Sequence, residues 1–119
     1  MDEQHKKILL IGGAPGVGKS TLAAQLSKAT GIPYISTDQI RAVIKSVATV
    51  SEWPDLFGST LVEQDVEARV AQEYAKAEIV WRGVMALIEH CYPWGGCIIE
   101  GVEILPHLVS RDLSSQNIK

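Results

Sequence analysis

Gly13-Ala14-Pro15-Gly16-Val17-Gly18-Lys19-Ser20 is the stretch that decides how the rest of this chain is read. It runs Gly, four residues, then Gly-Lys-Ser, the spacing of a phosphate-binding loop. The apolar run Ile8-Leu9-Leu10-Ile11 before it has the pattern of a buried strand. From Lys19 to Ala29, Leu22, Ala23 and Leu26 recur at helical spacing. Strand, glycine loop and helix are the frame that such a loop requires.

Each residue type in the loop has a physical reason. A helix start offers unpaired N–H groups and roughly half a positive charge, a natural seat for a polyphosphate. Gly13, Gly16 and Gly18 let the backbone turn and approach phosphate without a Cβ in the way. Lys19 carries an ammonium for the β- and γ-phosphates, Ser20 a hydroxyl for Mg²⁺, and Thr21 a hydroxyl for the α-phosphate. Ala14, Pro15 and Val17 complete the run that is expected to wrap a nucleotide.

Outward from the loop, strands alternate with helices. The first helix is expected to end near Thr30, with Gly31 as its stop. Ile32 to Ser36 reads as a second strand, and Pro33 suits an outer position in a sheet. Thr37 or Asp38 then caps a helix whose stripe is Ile40, Val43, Ile44 and Val47, with Arg41 and Lys45 on other faces. Thr49 to Thr60 reads as a loop or broken turn. Leu61 to Cys91 is helical, with Val70, Tyr74, Ala77, Trp81, Val84, Ile88 and Cys91 forming one stripe. Its acidic part, Glu63 to Glu73, is open to being a separate helix. Cys97 to Val102 is a third strand with its exit turn, Ile104 to Val109 starts another element, and the tail from Ser110 reads as frayed. Such alternation implies an α/β fold with a parallel sheet and a ligand site beyond the carboxyl ends of the strands. The glycine loop, Asp38 and Glu100 all fall at those ends.

Asp38 and Arg41 lie three residues apart, so a helix puts them on one face. A carboxylate there can orient an acceptor hydroxyl and take its proton, and a guanidinium can grip an acceptor phosphate. The alternatives are a helix cap for Asp38 and a solvated surface place for Arg41. Glu100, at the end of an apolar strand, is a candidate for Mg²⁺ through its waters; its alternative is a carboxylate paired with a neighbouring helix. Glu103 is a weaker candidate on the exit turn.

Composition narrows the classes. Of 119 residues, 46% are hydrophobic and the net charge is −3, which fits one globular domain and argues against a general nucleic-acid binder. There is no apolar run of membrane-spanning length, and the polar start Met1 to Lys7 is not a secretory leader, so a cytoplasmic place is expected. Cys91 and Cys97 read as small buried residues, and His5, His90 and His107 are scattered.

Together these segments resemble the small-molecule branch of the phosphate-loop kinases, and most of all the 2-phosphoglycerate kinase family. The resemblance rests on Ile11 to Thr21, Gly31 to Arg41 and Ile98 to Pro106, with similarity also at Gly83 to Glu89. It implies a three-layer phosphate-loop NTPase fold, ATP and Mg²⁺ as cofactors, and a small phosphorylated hydroxy acid as acceptor. By analogy with polynucleotide 5′-kinases and zeta-type toxin kinases, Asp38 is the base and Arg41 the acceptor-side cation; Lys19 of the loop is the third residue expected to be catalytic. The family often has His where Glu103 stands. The chain stops where a fourth strand, an arginine-bearing lid and a base-contacting loop are expected, so it reads as a truncated single domain, the alternative being that another chain supplies the missing part. An alternative is a domain that holds nucleotide without turnover. A nucleotide-driven switch has no sensor element here to support it.

Overall fold

Alternation along the central strand organises the molecule. In the computed structural model, which describes residues 7–49, 51–57 and 66–113, three strands form one parallel sheet. They are β1 (Lys7–Ile11), β2 (Tyr34–Ser36) and β3 (Gly96–Glu100), in the order β1-β3-β2. Ile8 pairs with Cys97, Leu10 with Ile99 and Ile11 with Glu100 on one side, and Ser36 pairs with Glu100 on the other. Every residue of β3 is buried.

Because successive side chains alternate between faces, the two faces of β3 have different partners. Cys97 and Ile99, with Ile8, Leu10 and Ile35 from the flanking strands, join the main core. That core is built from α2 (Thr37–Val47), the short α3 (Pro54–Phe57), α4 (Val66–His90) and α5 (Pro106–Leu113). Ile98 and Glu100 point the other way, towards α1 (Lys19–Thr30). Helix, sheet and helices give the three layers expected of a phosphate-loop fold.

Several details differ from the sequence reading. β2 starts at Tyr34, because Pro33 has no N–H to give and enters the sheet only through its carbonyl, which accepts from Ile98 N at 2.9 Å. It is an outer strand among the described residues. β3 ends at Glu100, and Gly101 and Val102 form the exit turn expected there. β1 is only partly buried, with Leu9 43% exposed, since β3 flanks it on one side alone among the described residues. Leu22 is exposed, and α1 seats itself through Ala23.

α2 is capped by Ser36, not by Thr37 or Asp38. Ser36 Oγ accepts from Asp38 N and Gln39 Oε1 accepts from Ser36 N, both at 2.9 Å, a capping box. Its inner face is Thr37, Ile40, Arg41, Ile44 and Ala48, while Val43 and Val47 are 65% and 80% exposed. The stripe is thus rotated: Gly83 of α4 leaves room for Ile40 and Ile44, and Arg41 turns inward with them.

α4 is continuous from Val66, with no break inside the acidic part that is described. Leu61 to Asp65 lie outside the described residues. With 25 residues it is about 37 Å long, twice the about 17 Å of a five-residue strand. Hence Ala77, Trp81, Val84, Ile88 and the following Cys91 are buried, whereas Val70 and Tyr74 overhang the sheet and stay exposed. Tyr74 meets His107 edge to face, centroids 5.6 Å apart. Cys91 and Cys97 are buried free thiols. The segment from Ser110 is not frayed up to Leu113. Leu113 is buried, and Asp112 accepts from Trp81 Nε1 at 2.7 Å.

Candidate functional site

The glycine loop delivers the backbone that its sequence promises. Gly13, Gly16 and Gly18 have φ of 137°, 84° and 92°, values that L side chains rarely adopt. Gly18 is the N-cap of α1 and supplies no side chain to its first turn, so the N–H groups there are left for a ligand. Lys19 is almost wholly buried, and its Nζ donates to the carbonyl of Ala14 at 2.8 Å, folding the ammonium over the loop.

Glu100 reaches the same place from the sheet. It pairs with Ile11 on β1, and its carboxylate faces the first turn of α1. There Ser20 Oγ donates to Glu100 Oε2 at 3.1 Å. Glu100 is 4% exposed, which keeps its carboxylate at the strand end against the first turn of α1. A hydroxyl and a carboxylate side by side fit Mg²⁺, which takes oxygen donors, keeps several waters and borrows the rest of its shell from phosphate.

Asp38 and Arg41 sit on the first turns of α2. With Ser36 and Gln39 closing the cap, Asp38 has no capping duty, and its side chain is 75% exposed. It accepts from Arg41 Nη2. The other amino group of Arg41, Nη1, donates to Glu103 Oε2 at 3.0 Å. Glu103 is buried and also accepts from the Thr37 hydroxyl. Gly101 makes this possible: a Cβ there would run into the Thr37 side chain.

One cleft of about 570 Å³ gathers these groups. It is lined by Pro15, Gly16, Lys19 and Ser20 of the loop, by Glu100 and Gly101 after β3, and by Tyr34, Ser36, Asp38, Gln39 and Arg41. A larger hollow, about 860 Å³, lies against the other side of Gly13 to Pro15 and is lined mainly by Leu10, Val102, Ile104, Leu105 and Val109. Its lining among the described residues carries no charged group, whereas the smaller cleft gathers all the charged candidates. Sequence alone marks Thr37 only as a possible cap and Glu103 only as a weak candidate. The contacts that give them a role join residues 66 and 62 positions apart, and no local pattern reports such a pairing.

Comparison with known proteins fits this geometry. A family model described as an AAA domain matches residues 12–101, from the glycine loop to the turn after Glu100. The chain belongs to that family. As an AAA-family phosphate-loop domain it is also similar to the 2-phosphoglycerate kinases of Methanocaldococcus jannaschii and Pyrococcus horikoshii, at 34% identity over 86% of this chain in each case. With that of Methanococcus vannielii it shares 32% identity over 98% of this chain. The matched part is 36%, 37% and 42% of those relatives, so the chain spans about two fifths of their length. None of the described helices is long and apolar enough to cross a membrane.

Proposed function

We propose that this AAA-family domain is the nucleotide and acceptor site of a Mg²⁺-dependent phosphotransferase. It moves the γ-phosphate of ATP to a hydroxyl of a small phosphorylated hydroxy acid such as 2-phosphoglycerate. The observation that carries the reading is the single cleft in which Lys19, Ser20 and Glu100 share a wall with Asp38 and Arg41. A bare phosphate-binding turn needs only the first set.

The roles follow from position. The N–H groups at the start of α1 hold the polyphosphate, and Lys19 exchanges the carbonyl of Ala14 for phosphate oxygens. Ser20 and Glu100 hold Mg²⁺, which when bound neutralises charge on the β- and γ-phosphates. Arg41 grips the anionic group of the acceptor, and Asp38 orients its hydroxyl. As the new O–P bond forms, the bond from γ-phosphorus to the bridging oxygen breaks, ADP leaves and the hydroxyl proton passes to Asp38. A carboxylate, though a weak base, suffices here, because little proton transfer is needed early in a loose transition state. The domain acts in the cytoplasm, with a small soluble acceptor as its partner.

Single-turnover transfer from radiolabelled Mg·ATP to 2-phosphoglycerate tests the reading. Asp38→Asn is expected to lose at least a hundredfold in transfer rate and to keep nucleotide affinity, in line with general-base contributions. Transfer at the wild-type rate in that variant removes Asp38 from the mechanism. Tight nucleotide binding with no transfer to any phosphorylated hydroxy acid favours a nucleotide-holding module.

A further inference from the structure

Arg41 has two carboxylate partners of unequal standing. Asp38, on its Nη2 side, is 75% exposed, while Glu103, on its Nη1 side, is 5% exposed. Glu103 is fixed a second time by the Thr37 hydroxyl, and Thr37 is fully buried against Gly101. An exposed ion pair is weak and readily exchanged, whereas a carboxylate buried beside its cation does not let go cheaply. Asp38 is therefore the exchangeable partner and Glu103 the permanent one. The balance of charge agrees. Lys19 and Arg41 face Asp38, Glu100 and Glu103, so an anionic acceptor finds its cation already shared unless one carboxylate gives way.

We propose that Glu103 is the positioning residue of the acceptor site. It holds Arg41 by its inner amino group, and the outer amino group exchanges Asp38 for the phosphate or carboxylate of the acceptor. The same exchange frees Asp38 to meet the acceptor hydroxyl, so binding of the correct acceptor uncovers the base. The inference rests on the acceptor-site reading above. It adds a residue beyond the family-matched segment, which ends at position 101.

The guanidinium protons of Arg41 report on this directly in 1H–15N spectra at low temperature, assigned by their absence in Arg41→Lys. Asp38→Asn is expected to leave their exchange with solvent within twofold, and Glu103→Gln to speed it at least tenfold. The reverse order overturns the proposal. If Glu103→Gln does not fold, Asp38→Asn decides alone: loss of the protected Arg41 signals there means that Asp38 was the anchor. With the glycine loop saturated by Mg·ADP, 2-phosphoglycerate and inorganic phosphate are then titrated separately. Either is expected to shift the Arg41 signals, and to bind Glu103→Gln at least tenfold more weakly while Mg·ATP affinity stays within twofold. Inorganic phosphate acting without 2-phosphoglycerate sinks the choice of acceptor and upholds the exchange. If neither anion moves Arg41, or both bind Glu103→Gln as they bind the wild type, the exchange itself is overturned.

Discussion

Lys19 and Gly101 are two positions at which one side chain, or the lack of one, shapes the candidate site. The placing of Lys19 is legible from sequence because its neighbours fix it: the glycine loop forces the turn and α1 supplies the dipole. Lys19→Ala is expected to weaken Mg·ATP binding at least tenfold by calorimetry, since a charge-assisted hydrogen bond contributes about 1.5–3 kcal/mol. The fold should be unchanged, because among the described residues the ammonium bonds to a loop carbonyl alone. At Gly101 no local pattern says why the residue must be glycine. The reason is Thr37, packed where a Cβ would stand. Gly101→Ala must push Thr37 off Glu103 or shift the β3 exit. A loss of about 1–3 kcal/mol in urea denaturation is expected, as for other overpacked sites. Unchanged stability would mean that the Thr37–Glu103 contact gives way freely, and the account of a fixed Glu103 would go with it.

At the scale of elements, apolar spacing locates the long helices but misjudges which face of α2 turns inward. Ile40, Val43, Ile44 and Val47 satisfy helical periodicity equally well on paper. What chooses between the two sides is the absence of a side chain at Gly83 on α4, which α2 fills with Ile40 and Ile44. A Cβ at Gly83 would stand 2.6 Å from Ile40 Cγ2. Gly83→Ala would gain about 1 kcal/mol of helix propensity, yet should be destabilised overall by about 1 kcal/mol, because overpacking costs about 1–3 kcal/mol. Since Arg41 rides on the same helix, the variant should also weaken acceptor binding more than nucleotide binding, which paired titrations would reveal. The seat of α5 escapes the sequence for a similar reason: a polar tail looks frayed until Trp81 is seen to need an acceptor. Asp112 supplies it, and hydrogen bonds from Arg111 first and Trp81 second hold its carboxyl below the usual range. A depressed native pKa stabilises the fold above the unfolded value of about 3.9, and that contribution is lost as pH falls through the native value. Asp112→Asn keeps an acceptor for Trp81 and removes the charge. Its deficit in thermal midpoint against the wild type should be present near neutral pH and shrink on acidification below about pH 4. A deficit independent of pH would assign the effect to packing alone.

For the whole molecule, sheet order places the site. With β3 between β1 and β2, the turn after β1, the start of α2 and the exit of β3 all open at one end, which is why residues 19, 38 and 100 share a cleft. The three strands and their parallel alternation are legible in sequence. The outer place of β2 is legible too, from Pro33, but that β3 and not β1 is buried on both sides is not, because Ile8 to Ile11 looks as apolar as Cys97 to Ile99. A ligand at this end touches the β1 loop, α1 and β3 together, so nucleotide should stabilise the domain as a unit. At a hundredfold excess over Kd, one-site linkage contributes about 2.7 kcal/mol. For a domain of this size that corresponds to a rise in thermal midpoint of about 10 °C. Mg·ATP should produce such a shift in the wild type and in Asp38→Asn, whose change lies on the acceptor side of the cleft. Lys19→Ala at the same nucleotide concentration should show at most about half of it. Equal shifts in Lys19→Ala and the wild type would place the nucleotide somewhere other than the glycine loop, and the larger apolar hollow beside Gly13 to Pro15 would be the first place to look.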